Sequence, residues 1–220
     1  MIDILQDCTL HVLTDDVLKE CYPFSCGQND DMDEFFRVDA LEYAKFRMGK
    51  SYCFRLVSDP KQIICCFTLS SDSIRIYDLP NSRKNRMWGI TNREKMLSRY
   101  PGVLIGRFAV DAKYANQRVG SQALDFIRRW IMEDDAKMAN RLAIVDAVNK
   151  PEVLHFYEKN GFTPLFSSEL QEDLYTKRPL DEAERLEREQ HPRHLDTRLM
   201  FCDLLTCLNP EQNHNKEAND

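Results

Sequence analysis

The apolar and polar positions of this chain recur with two periods, and the changes from one to the other mark out its predicted elements. Thr9-Leu10-His11-Val12-Leu13 reads as a first strand. From Asn29 to Met48 apolar residues return at Phe35, Phe36, Val38, Leu41 and Phe46, which predicts a helix. Asn29 or Asp30 can cap it, acidic residues fill its first turn, and Gly49 is placed to end it. Tyr52–Val57 and Ile63–Leu69 read as two strands of a hairpin turned at Asp59-Pro60. Val103–Val110 predicts a strand, Val119–Met132 an amphipathic helix and Leu142–Val148 another strand. Pro151–Lys159 follows as a short helix, its proline placed early where a missing N–H costs little. Phe162–Phe166 begins a further strand. The pattern breaks between Ser167 and Arg198, a stretch rich in Glu and Arg in which Pro179 to Gln190 reads as a solvated helix. Thr197–Leu205 returns to strand.

Strands alternating with helices, a hairpin early and an extra strand late predict an α/β or α+β fold with a mixed sheet. The expected organisation is one domain over residues 1–208, with 167–196 as an inserted arm and 209–220 as a disordered polar tail. Composition adds little to this. Hydrophobic residues are 43% and charged residues 30%, as in ordinary soluble domains. No apolar run reaches the ~20 residues of a membrane span, and the N-terminus has no basic, apolar leader. A cytoplasmic location without membrane partners is therefore expected. The eight cysteines form no Cys-x-x-Cys pair and no zinc-finger set, so no metal is expected. Cys53, Cys65, Cys66 and Cys202 read as buried thiols. The net charge of −6 argues against a surface that grips nucleic acid everywhere, but leaves room for a local basic patch. Arg83, Lys84, Arg86, Arg93, Lys95 and Arg99 are such a run. They either border an acceptor site and steer an anionic substrate or form a solvated loop.

Two stretches carry candidate chemistry. In the first, the strand ending Arg107-Phe108-Ala109-Val110-Asp111 passes through a short polar connection to a helix opening at Arg118-Val119-Gly120-Ser121. A helix N-terminus has free N–H groups and a positive dipole end, and glycine lets a phosphate approach, so the turn suits a pyrophosphate. In the second, Leu142–Val148 leads through Asn149 to a helix ending Phe156-Tyr157-Glu158-Lys159-Asn160-Gly161-Phe162. Asn160-Gly161 is a helix stop. Tyr157 is either one more half-buried aromatic or a phenol placed to protonate a leaving thiolate.

Together the stretches resemble the two cofactor-binding motifs of the GNAT acetyltransferase superfamily. Strand 107–111 resembles the splayed strand whose backbone pairs with the pantetheine arm of acetyl-CoA. Arg118–Ser121 resembles the end of the pyrophosphate loop, although Ala115 stands where that family has Gln or Arg and Arg118 where it has its first glycine. Arg118 offers the phosphates a charged donor instead. The segment 156–162 matches the second motif. Phe24-Ser25-Cys26-Gly27, Met32-Asp33-Glu34-Phe35, Tyr52-Cys-Phe-Arg, Cys66-Phe-Thr-Leu-Ser70 and Val145-Asp146-Ala147 are similar to a branch that includes tRNA-acetylating toxins. The resemblance covers residues 9–166 and 197–205.

It implies a mixed, mostly antiparallel, twisted sheet flanked by helices, with the 167–196 arm inserted between the last two strands. It also implies acetyl-CoA as co-substrate, held by Phe108, Ala109, Val110, Arg118, Val119, Gly120, Ser121 and Asn149, and Tyr157 as the acid for the thiolate. An unperturbed phenol, with a pKa near ~10, carries its proton at neutral pH. The acceptor is expected to be a primary amine on a small molecule, a peptide or an aminoacyl-tRNA, and a homodimer is the candidate assembly. Asp72, Asp146 and Glu152 are candidates for the general base, beside a water chain, while His155 reads as a packing or surface residue. The acidic arm would favour a cationic peptide or polyamine. The competing reading is a weak or inactive GNAT-fold binding module that uses the 167–196 arm to engage a partner.

Overall fold

A computed structural model describes residues 2–27, 29–77, 79–89, 97–133, 138–177 and 181–205. In chain order the elements are α1 (Ile4–Asp7), β1 (Cys8–Val12), α2 (Asp15–Glu20), α3 (Asp30–Glu34), a π-helical turn (Phe35–Asp39), α4 (Ala40–Lys45), β2 (Lys50–Leu56), β3 (Ile63–Arg75), α5 (Asn81–Gly89), β4 (Arg99–Val110), a 3₁₀ turn (Ala112–Tyr114), α6 (Val119–Trp130), β5 (Leu142–Val148), α7 (Pro151–Lys159), β6 (Thr163–Pro164), α8 (Glu169–Thr176), α9 (Glu182–Gln190) and β7 (Thr197–Asp203). The strands form a seven-stranded sheet in the order β1-β2-β3-β4-β5-β7-β6. The pairs β1–β2, β2–β3, β5–β7 and β6–β7 are antiparallel. This is the expected mixed α/β architecture.

The chain forms two compact units, Met1–Ser71 with Leu104–Lys137 and Asp72–Val103 with Met138–Asp220, and β3 and β4 run through both. In the first, Leu13, Phe35, Phe36, Ala40, Cys53, Ile63, Cys66 and Ala109 form a buried cluster with Phe24 and Met32 against it. The predicted helix 29–48 starts where expected, with Asn29 Oδ1 accepting from Met32 N–H at 3.2 Å. Its middle widens into the π turn, and its end lies earlier than Gly49. Arg47 at φ 57° takes the left-handed position, because Met48 N–H already turns back to Tyr43 O at 2.9 Å. Hairpin β2–β3 is as expected, but β3 continues six residues beyond Leu69, to Arg75. The N-terminal segment is tied to α6 through Gln122, whose amide accepts from Ile4 N–H at 3.0 Å and donates to Ile2 O at 2.9 Å.

In the second unit β5 and β7 pair over their whole lengths, Leu142 with Asp203 through Val148 with Thr197. Leu142, Ala143, Ile144, Val145, Met200, Phe201 and Cys202 are buried there. β6 shrinks to Thr163–Pro164 from the predicted 162–166. The arm between β6 and β7 holds two helices, α8 as well as the expected α9. Buried ion pairs help to anchor it. Asp173 and Arg188, both buried, meet at 3.3 Å, and Arg188 also reaches Glu184 at 2.5 Å and the Lys177 carbonyl. Buried Glu172 accepts from Arg198 Nε at 2.6 Å and from Leu199 N–H at 2.5 Å. The predicted solvated helix thus turns one arginine inward. The tail 209–220 and Cys207 lie outside the described residues. Cys53, Cys65 and Cys66 are buried free thiols as expected, whereas Cys202 is disulfide-bonded. Among the described residues no helix is long and apolar enough to cross a membrane, and no cluster of His, Cys, Asp and Glu could hold a metal ion.

Candidate functional site

The first unit holds the candidate strand and turn. Ala109 is buried in the cluster with Phe35 and Phe36, while Phe108 and Val110 keep partial exposure. At the strand's end Asp111 N–H donates to Ile64 O at 2.9 Å. Its carboxylate accepts from Lys113 N–H at 3.0 Å and so caps the 3₁₀ turn. The connection then passes through two non-glycine residues in the left-handed region, Asn116 at φ 61° and Arg118 at φ 63°.

Arg118 is the N-cap of α6. Side chains cap α1, α2, α3, α8 and α9, from Asp3, Thr14, Asn29, Ser168 and Asp181. No side chain caps α6. Its first intrahelical bond is Gln122 N–H to Arg118 O, at 3.1 Å, so Val119, Gly120 and Ser121 present N–H groups ahead of it. Three amides at a positive dipole end, beside an exposed guanidinium, suit a pyrophosphate. The residues present therefore fit the anionic end of acetyl-CoA. Arg118 itself takes a left-handed backbone, the form that glycine adopts at least cost.

The second unit holds Tyr157 and Asn149. Tyr157 is 8% exposed on α7 and packs edge-on against Phe156 at 5.3 Å and Phe162 at 5.4 Å. The Asn-Gly stop works as its chemistry predicts. Gly161 takes φ 85°, Phe162 N–H bonds back to Tyr157 O at 3.0 Å, and the Asn160 amide donates to Phe156 O at 2.7 Å. Asn149 sits at the β5–α7 junction. Its amide donates to Leu195 O and its backbone N–H to Asp196 O, both at 2.8 Å. Asn149 therefore holds the arm's return segment.

Of the candidate bases, Asp72 accepts from Ser73 N–H at 2.6 Å and Glu152 lies in the exposed first turn of α7. Asp146 is raised above the usual carboxylate range, first by protein crowding its carboxyl and then by the charge of Asp72. Solvent still reaches the residue, which limits that shift. His155 is exposed. In the basic run, Arg83 is half-buried and Arg99 donates to Ser73 Oγ at 3.3 Å. Arg93, Lys95 and the side chain of Arg86 lie outside the described residues. The first unit also contains a cleft of about 870 Å³, lined by residues that include Leu13, Thr14, Arg47, Lys50 and Ser70. No motif signalled it, because its walls come from five separate elements.

The family model for the acetyltransferase (GNAT) family matches residues 74–162. That stretch is less than half of the chain. The family that this model describes is one of acetyltransferases. Both candidate stretches lie inside the GNAT match. Nothing among curated proteins matches the chain significantly. Solved structures share the fold. AtaT complexed with acetyl-methionyl-tRNAfMet is similar with a TM-score of 0.58 and 20% identity, covering 74% of this chain and 90% of that one. A tyrosine-to-phenylalanine mutant of KacT gives a TM-score of 0.63 and 15% identity, covering 93% and 99%. AtaTR bound with acetyl-CoA gives 0.57 and 17%, covering 92% and 96%.

Proposed function

We propose that this chain transfers the acetyl group of acetyl-CoA to a primary amine by direct attack. The observation that carries the reading is the uncapped N-terminus of α6, reached from β4 through the 3₁₀ turn within the GNAT match. Val119, Gly120 and Ser121 N–H groups, with Arg118, hold the pyrophosphate. The backbone of Phe108, Ala109 and Val110 lies along the pantetheine arm and supplies the N–H that polarises the thioester carbonyl. Bound acetyl-CoA supplies the activated acyl group. Tyr157 Oη gives up the proton that the leaving thiolate needs. Asp146, with its raised pKa, is better matched than an ordinary carboxylate to take the proton of the incoming ammonium.

For the acceptor we favour the amine of an aminoacyl-tRNA, because a structural neighbour is described as AtaT with acetyl-methionyl-tRNAfMet. The test is a CoA-release screen over aminoacyl-tRNA, polyamines, amino acids and peptides, preceded by calorimetric titration with acetyl-CoA. Release with one acceptor class supports the reading. No uptake at high micromolar acetyl-CoA sinks it, and uptake without release across the panel favours a binding module.

A further inference from the structure

The Phe24-Ser25-Cys26-Gly27 loop takes no part in the chemistry above, yet short contacts join it to the cofactor segment. Asp33, on α3, accepts Ser25 Oγ–H at 2.6 Å and Cys26 N–H at 2.7 Å. Ser25 Oγ, its proton committed to the carboxylate, accepts Gly27 N–H at 3.1 Å. The Ser25 carbonyl accepts the N–H of Ala112, the residue after Asp111, at 2.9 Å. Gly27 has φ +77°, and a Cβ there would stand 2.9 Å from Ala112 Cβ. Loop and turn are as close as a glycine permits. The same helix also grips the segment's other end. Asp31 pairs with Arg107 at 3.4 Å, and the Arg107 guanidinium lies 5.0 Å from the centre of the Phe35 ring. Arg107 and Ala112 thus bracket Phe108-Ala109-Val110.

We propose that Asp33, assisted by Asp31, is a positioning residue for acetyl-CoA. It fixes the strand backbone at 108–110 and the entrance to the pyrophosphate turn through the 25–27 loop. The inference rests on reading that segment as the cofactor-holding edge. The chemistry of the clasp suits the task. Although burial opposes ionisation, hydrogen bonds from Ser25 and Cys26 outweigh it and hold Asp33 below the usual carboxylate range. At neutral pH it is an acceptor-only group facing two donors. Backbone donors bind well only when held within a fraction of an ångström, so slack at Ala112 is transmitted to Val110 and its neighbours.

The experiment compares the full chain with Asp33→Asn and Ser25→Ala. Each is titrated with acetyl-CoA by calorimetry and followed by amide exchange over residues 107–121 without cofactor. Asparagine turns an N–H₂ toward one of the two donors. Ser25→Ala keeps the Asp33–Cys26 bond, and it decides the matter if Asp33→Asn fails to fold. The expected result is a Kd for acetyl-CoA raised roughly tenfold in Asp33→Asn, less in Ser25→Ala, with faster exchange at 107–114 and an unchanged KM for the acceptor. A merely structural role would lower Tm and leave Kd alone. Wild-type chain that takes up acetyl-CoA, beside folded variants of equal Kd, overturns this inference only. Wild-type chain that takes up none overturns the acetyltransferase reading, and this inference with it.

Discussion

Arg118 holds a left-handed backbone without being glycine. A non-glycine residue in the left-handed region costs roughly 1–2 kcal/mol, and glycine returns part of that gain through its greater freedom when unfolded. Arg118→Gly should therefore stabilise the chain by about 0.5–1 kcal/mol in urea titrations, while raising the Kd for acetyl-CoA several-fold as a charged donor is lost. Stability that does not rise would mean that the φ of 63° is not held in solution. An unchanged Kd would take Arg118 off the phosphates. Tyr157 tests the opposite case, a hydroxyl whose packing is separable from its chemistry. Its ring is held between Phe156 and Phe162, and phenylalanine keeps those contacts. Tyr157→Phe should leave Tm within about a degree or two, since its effect on packing is small. It should lower kcat by roughly 10²–10⁴-fold, the usual worth of a positioned acid. A variant that releases CoA as fast as wild type would return Tyr157 to the core.

At the level of elements, the arm separates what hydrophobic patterning can read from what it cannot. β5 and α7 run over the predicted residues, because a β-branched run, an early proline and an Asn-Gly stop each carry their own backbone chemistry. Helix α8 escapes such a reading because two residues of its buried face are Glu172 and Asp173. α1 and α2, at four and six residues, are too short to show a period. The left-handed Arg47 and the π turn arise from packing that no local signal announces. The arm's ion pairs make two predictions. Asp173→Ala takes one of its two carboxylate partners from Arg188 while Glu184 remains, and should cost about 2 kcal/mol, read from urea unfolding. A cost below about 1 kcal/mol would show that water reaches Arg188 freely. Glu169 ties the arm's return segment, accepting from Leu195 N–H at 2.7 Å and pairing with His194 at 3.0 Å. The Leu195 bond first, then the Asn149 amide, lower its pKa below the ordinary glutamate range against a smaller opposing effect of burial. A lowered folded pKa means that this stabilisation is present above the unfolded value and is lost as pH falls through the folded one. Glu169→Gln should flatten the acid limb of Tm below about pH 4.5, and an acid limb as steep as wild type would show that the contact is not made.

For the whole molecule, charge is the property that can choose between acceptors. The Asn160-Gly161 stop is legible in the sequence because its backbone chemistry is local. The acceptor is not local: its contacts come from side chains brought together only by folding, and the net charge of −6 opposes a polyanion while favouring a polycation. Glu182 and Glu187 on α9 are exposed, so converting both to glutamine changes the charge without disturbing the buried Arg188 pairs. If the acceptor is an aminoacyl-tRNA, this double variant should lower its KM by roughly two-fold at low ionic strength, as like-charge repulsion falls. The difference should vanish near 0.5 M salt, where the Debye length shrinks to a few ångströms. If the acceptor is a polyamine or a cationic peptide, the same variant should raise KM by a similar factor. Steady-state CoA release with each acceptor at two salt concentrations reads the sign directly. A lower KM for the polyamine and a higher one for the tRNA would contradict both versions, because surface charge would then not be what brings the acceptor to the site.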